Sequence, residues 1–224
     1  MADFQKLSVF KLQSGAHDSP DKGLCAMEAV AWLEGLPHSD HPECTCPVIA
    51  AYVRRLNDQL PHHERQKLVA YLPRLVGTVG TPEIERERGY IFAQAAGEVF
   101  AYRALRNAGL HKEAETVAAR FRKRDWPAAA AAADAAARWS AADDAAVDAA
   151  RWSAAADAAA VDAAVDAAAD AAAVDAAAVD AARWSAAAAF NVLDQALAIG
   201  PQSPLKFSHD TDSRIAAYRE LIGA

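Results

Sequence analysis

Residues 128–189 contain 38 alanines and no glycine, proline or leucine. That stretch narrows the possible folds more than any other part of the chain. Alanine loses no side-chain rotamer freedom in a helix, so the composition favours helix over the alternatives. A single helix over all of it would measure about 93 Å, a length hard to sustain in one copy without a partner. The expectation is therefore a long alanine-rich helical arm, or an antiparallel hairpin made from it. The triplet RWS recurs at 138–140, 151–153 and 183–185. Each serine can cap a new helix, and Asp143 follows Ser140 at the spacing of a capping box. Trp139, Trp152 and Trp184 are the few large groups available to fill gaps between closely approaching alanine faces.

Charge in this tract comes from ten aspartates and three arginines, which equals the net −7 of the whole chain. On a helical wheel Asp134, Asp144, Asp148, Asp162, Asp166, Asp170 and Asp180 share an arc, while Asp143, Asp157 and Asp175 fall outside it. Short recurrences such as AVDAA resemble pentapeptide-repeat β-helices. Those need a large apolar residue at the centre of each repeat, where this tract has alanine, and the five-residue phase slips between Val161 and Asp166. Helix propensity prevails. An acidic DNA-mimic decoy is a further reading of the aspartates. Their spacing of four or five residues gives about 6–7.5 Å along a helix axis. The phosphates of one DNA strand repeat at about 3.4 Å, so at best every second one is matched.

The remainder of the 224 residues is close to charge-balanced, with no basic cluster large enough to indicate nucleic-acid binding. The N-terminal MADFQKLSVF lacks the apolar core of a signal peptide, and no run of 18 strongly apolar residues exists. Three cysteines within 22 residues argue against a secreted disulfide framework. The expectation is a cytoplasmic protein that neither enters a membrane nor binds nucleic acid. Along the chain, Phe4, Leu7, Val9 and Leu12 suggest a short strand or an extended lead-in. Asp18 or Ser19 is placed to cap a helix entered at Pro20 and stopped by Gly35. Pro47 opens the next helix, Pro61 another that Pro73 kinks or ends, and Thr81-Pro82-Glu83 one that runs to Gly109. A last helix covers about 111–124. Residues 1–126 thus read as a compact helical domain, followed by 127–224 as the alanine-rich arm with a C-terminal helix. The fold class is all-α.

The chemistry concentrates between Cys25 and Cys46. Cys25, His38, His41, Cys44 and Cys46 are candidate metal ligands, and zinc takes four such groups in a tetrahedron. The set Cys25, His41, Cys44 and Cys46 is the most natural one. The plainer reading makes Cys25 a small core residue and leaves the histidines in solvent. Cys25 is also a candidate nucleophile, because a helix N-terminus favours a thiolate. His17, His38 or His41 would then be its base. Glu28, one turn further on, is a candidate to hold Cys25 or a metal ligand in place, although an ordinary solvated helix glutamate is the plainer reading.

Together the segments G-A-H at 15–17, C-A-M-E-A-V-A-W at 25–32, S-D-H-P-E-C-T-C-P-V-I at 39–49, RRLND at 54–58 and LPRLVGT at 72–78 carry a resemblance. With the Ala/Asp/Trp-rich tail behind them, they resemble a family of proteins from actinobacteria and their phages. In that family the position of His38 is often aromatic and that of Cys46 sometimes serine. The resemblance thus implies Cys25, His41 and Cys44 as the shared set, and it implies no activity. The leading expectation is a metal- or thiol-organised helical binding or scaffold protein, acting as a homo-oligomer or with a protein partner. A cysteine-dependent hydrolase or acyltransferase using Cys25, His17 and Glu28 is the alternative from a different class.

Overall fold

The structure is a computed structural model that describes residues 6–107, 109, 111–125, 179–201 and 207–223. The described residues are all-α, with no strand among them. No helix among them is long and apolar enough to cross a membrane. The expected arm or hairpin lies outside the described residues up to 178, as do RWS at 138–140 and 151–153. The chain divides into two compact units, one made of residues up to Glu85 plus those from Leu197 onward, the other of Arg86–Ala196.

In the first unit a 3-10 turn at Lys6–Val9 leads into an extended segment. Of the two expectations for this stretch, a short strand or an extended lead-in, the strand does not form. Instead the segment's backbone groups are satisfied by side chains and by one loop carbonyl. Gln66 Oε1 accepts from Leu12 N, Gln66 Nε2 donates to Leu12 O, and Gln13 N donates to Leu24 O. Helix α1 (Ala26–Leu33) begins six residues after Pro20, where a helix was expected to start, because Cys25 supplies the cap and residues 18–22 are spent in turns. Helix α2 (Pro47–Gln59) starts as expected at a proline, whose missing N–H is unneeded in a first turn. It buries Val48, Ile49, Tyr52, Val53 and Leu56. Its far end is held by Arg65, which donates from Nε to Asn57 O and from Nη2 to Leu60 O, a basic side chain on the last carbonyls of a helix.

Beyond Pro61 come the short α3 (His62–Arg65), a 3-10 stretch Gln66–Tyr71 and α4 (Leu72–Leu75). Pro73 sits in the first turn of α4, so it opens a helix where a kink or an end was expected. The unit also contains a C-terminal helix over Thr211–Ile222, which touches α1 and the Lys6–Val9 turn. The sequence division had grouped this helix with the alanine-rich region.

The second unit is built on a nearly continuous helical run. Helix α5 (Pro82–Ala95) passes through a π-helical stretch, Ala96–Ala101, into α6 (Tyr102–Asn107). Helix α7 (His111–Arg122) packs back on it. Phe92, Phe100, Leu105, Val117 and Phe121 are buried. Helix α8 (Val179–Leu197) runs through Ser185, so the third RWS lies inside a helix and does not start one. Alanine on both sides of the triplet lets the helix propagate past the serine. Ala186, Ala189, Phe190, Leu193, Ala196 and Leu197 are buried, spaced as one helical face. The last helix, Thr211–Ile222, is α9.

Gly97 lies in the π-helical stretch, where an ideal Cβ would overlap the ring of Phe121. Replacing a helical glycine by alanine ordinarily gains up to about 1 kcal/mol. Here overpacking, at about 1–3 kcal/mol, should win. Gly97→Ala is therefore expected to lower the urea midpoint. Gly97→Ala combined with Phe121→Leu should recover part of that loss.

Candidate functional site

The site begins with a helix cap. Cys25 has extended backbone (φ −77°, ψ 174°), and its Sγ accepts the N–H of Glu28 at 3.4 Å. The Glu28 carboxylate reaches back, its Oε2 accepting the Cys25 N–H at 2.7 Å. This is a capping box with cysteine in the place usually held by serine or threonine. The spacing C-x-x-E carries that signal, although cysteine is not among the favoured caps.

Glu28 is 1% exposed, and both of its oxygens are occupied. Oε1 accepts the His17 N–H at 2.7 Å, and Oε2 also faces His17 Nδ1 at 2.8 Å. His38 Nε2 lies 3.7 Å from Oε1 and donates to the His17 carbonyl at 2.7 Å. Three successive segments thus meet on one buried carboxylate: the loop before α1, the first turn of α1, and the loop after it.

Neighbouring side chains repeat the arrangement. Asn57 Oδ1 accepts the Ala26 N–H at 3.1 Å, while its Nδ2 donates to Gln13 O at 2.7 Å. Asp58 Oδ1 accepts the Gly15 N–H at 2.6 Å. Thr78 Oγ1 accepts the Cys46 N–H at 3.0 Å and donates to Leu75 O at 2.7 Å, and Gly77 N donates to Cys44 O at 2.7 Å. Hydrogen bonds therefore hold the G-A-H, C-x-M-E and RRLND segments to one another, and C-T-C-P to LPRLVGT. Asn57 and Thr78 carry no sequence signal of this role. Each sits in a short polar–apolar pattern that reads as an ordinary helix end.

Cys25, His17 and Glu28 come together around the Glu28 carboxylate. The hydrogen bond of Cys25 Sγ is with Glu28 N, and none joins it to a histidine ring. Burial, with the Glu28 carboxylate adding to it, pushes the Cys25 thiol up to about 12, although the Glu28 and Met27 N–H groups act in the other direction. The helix N-terminus was expected to favour the thiolate, and its effect is about 0.3–1 kcal/mol. Burial of an ionisable group shifts a pKa by as much as 3–5 units, several times more. Desolvation therefore decides the ionisation state.

Of the five candidate metal ligands, Cys25 and His38 border the Glu28 carboxylate, and Cys46, Cys44 and His41 have other surroundings. Cys46 is fully buried at the start of α2, and Cys44 is half-buried, its thiol raised chiefly by burial. His41 is exposed, with Nδ1 on the Asp40 carboxylate, and Asp40 O accepts from Arg54 Nη1 at 3.1 Å. Among the described residues, no three His, Cys, Asp or Glu side chains are grouped so as to hold a metal ion.

No protein-family model, curated protein or solved structure matches the chain.

Two outcomes follow for stability. Glu28→Gln places an amide N–H₂ against donors, leaving a buried N–H unpaired, and is expected to cost about 1–3 kcal/mol in urea melts. Cys25→Ser keeps a capping oxygen and should cost much less. The pH dependence follows from the raised thiol. Cys25 stays neutral in the folded chain but ionises near 8.5 when unfolded. Its contribution is therefore complete below about 8.5 and is lost as pH rises toward about 12. Urea midpoints measured from pH 7 to 10.5 should fall, and Cys25→Ser should fall less steeply.

Proposed function

We propose that the chain is a binding or scaffold protein. Its carboxylate-centred, thiol-capped motif organises a helical domain, and its alanine-rich segment serves self-association or a protein partner. One observation carries this reading: the Cys25 thiol is desolvated and spent on a backbone N–H. A thiol so used has the character of a structural cysteine, since the reactive form is the thiolate. The buried alanine face of α8 is consistent with the second half of the reading, because it brings the end of the alanine-rich region into packed contact.

The reading gives the organising role to hydrogen bonds and not to zinc. Purified protein should then contain less than about 0.2 zinc per chain, where a tight structural site would be nearly filled. Cys25 should alkylate slowly at pH 7 in the folded chain. Rapid, selective alkylation of Cys25 would favour the cysteine-dependent hydrolase or acyltransferase instead.

The association half has its own test. Ala164 and Ala168 lie opposite the common aspartate arc on a helical wheel. The double variant Ala164→Glu, Ala168→Glu should lower the sedimentation mass or the melting temperature of the full chain. An unchanged mass and melting profile would overturn the role given to that segment.

A further inference from the structure

His17 is held at three of its polar groups. Its N–H and its ring Nδ1 both meet the buried Glu28 carboxylate, at 2.7 and 2.8 Å, and its carbonyl accepts from His38 Nε2 at 2.7 Å. A carboxylate only accepts, so in the neutral imidazole the proton sits on Nδ1 and the lone pair on Nε2. The fold thereby selects one tautomer. Nε2 has no hydrogen-bond partner among the described residues, yet it is not a buried atom, and the side chain is 11% exposed.

Beside that nitrogen lie a glycine and an amide. An ideal Cβ on Gly23 would stand 2.8 Å from His17 Nε2 and 2.9 Å from Gln13 Cδ, so imidazole and amide sit side by side over this residue. Gly23 has φ +144°, which suits glycine and few others. The Gln13 main chain is fixed on both sides, its N–H donating to Leu24 O at 2.9 Å and its carbonyl accepting from Asn57 Nδ2 at 2.7 Å. Its side chain is exposed, and the amide makes no hydrogen bond among the described residues. A base, a carboxylate orienting it from behind, and a donor next to it are the parts of a general-base site.

We propose that His17 and Gln13, with Glu28 as the positioning residue, hydrolyse uncharged carboxylic esters. Water gives a proton to His17 Nε2 as its oxygen bonds to the ester carbonyl carbon. The carbonyl oxygen takes the displaced electron pair and accepts a hydrogen bond from the Gln13 amide. On collapse the bond to the alcohol oxygen breaks, and that oxygen takes the proton back from Nε2, leaving acid, alcohol and an unchanged histidine. Glu28 keeps hold of Nδ1–H throughout and offsets the charge of the imidazolium. The substrate class follows from the surrounding charge. Lys22, next to Gly23, is paired with Asp18 at 2.8 Å, and Asp58 lies on the Gly15 N–H. A phosphate ester would meet carboxylates there, and an uncharged ester would not. The inference does not rest on the scaffold reading, and it leaves Cys25 as the cap of α1.

The probe is p-nitrophenyl acetate, given to the full chain, with release followed beyond one equivalent so that acylation of a thiol is not counted. General-base catalysis contributes about 100-fold or more. His17→Gln is therefore expected to lower kcat/KM at least about tenfold, and a smaller loss would overturn the proposal. His41→Gln, which removes an exposed histidine outside the site, should leave the rate unchanged, and an equal loss there would overturn it too. Gln13→Ala removes only an exposed side chain and keeps both main-chain bonds, so it decides the matter should His17→Gln fail to fold. It should lower kcat at least about threefold with KM and the urea midpoint unchanged. An unaltered kcat in Gln13→Ala, or the absence of a normal solvent deuterium isotope effect in the unsubstituted chain, would show that the pair only holds the loop.

Discussion

A carboxylate taken out of water costs several kcal/mol unless its lone pairs are filled. Glu28 is in that position, and the first unit is arranged so that the cost is met. Its acceptor sites take the Cys25 N–H, the His17 N–H and the His17 ring. Removing the charge without the donors would leave buried N–H groups unpaired, so the residue and its surroundings fix one another. The carboxylate thereby sets where α1 begins and how the lead-in from Gln13 to Leu24 is held. Asn57, Asp58, Gln66 and Thr78 act in the same way, each taking main-chain groups from helix starts or from segments with no regular structure. A region rich in loops would otherwise bury main-chain polar groups without partners.

That arrangement explains which parts of the fold were legible in the sequence. Prolines at helix starts were, because a fixed φ and a missing N–H act locally: Pro47 and Pro82 open helices as expected. The start of α1 was not. Ser19 and Pro20 make an ordinary N-terminal signal, and it lost to a cysteine cap reinforced by tertiary contacts on Glu28. Ser185 failed for the opposite reason, since alanine on both sides lets a helix run past a serine that would cap it elsewhere. At the site, residue types and spacing named Cys25, His17 and Glu28 together. They did not say which atom accepts from which, because periodicity assigns faces and not hydrogen bonds.

The position of α9 poses a question of chain entropy. Its contacts with Trp32 join residues 182 apart in sequence. Loop-closure entropy grows only with the logarithm of length, so this costs about 2 kcal/mol more than closing a loop of about 20 residues. Burying two large side chains such as Ile215 and Tyr218 gains about 1.5–3 kcal/mol each, before the hydrogen bonds at Trp32 and Glu34 are considered. Docking is therefore favourable, but the surplus is small beside the stability of a packed core.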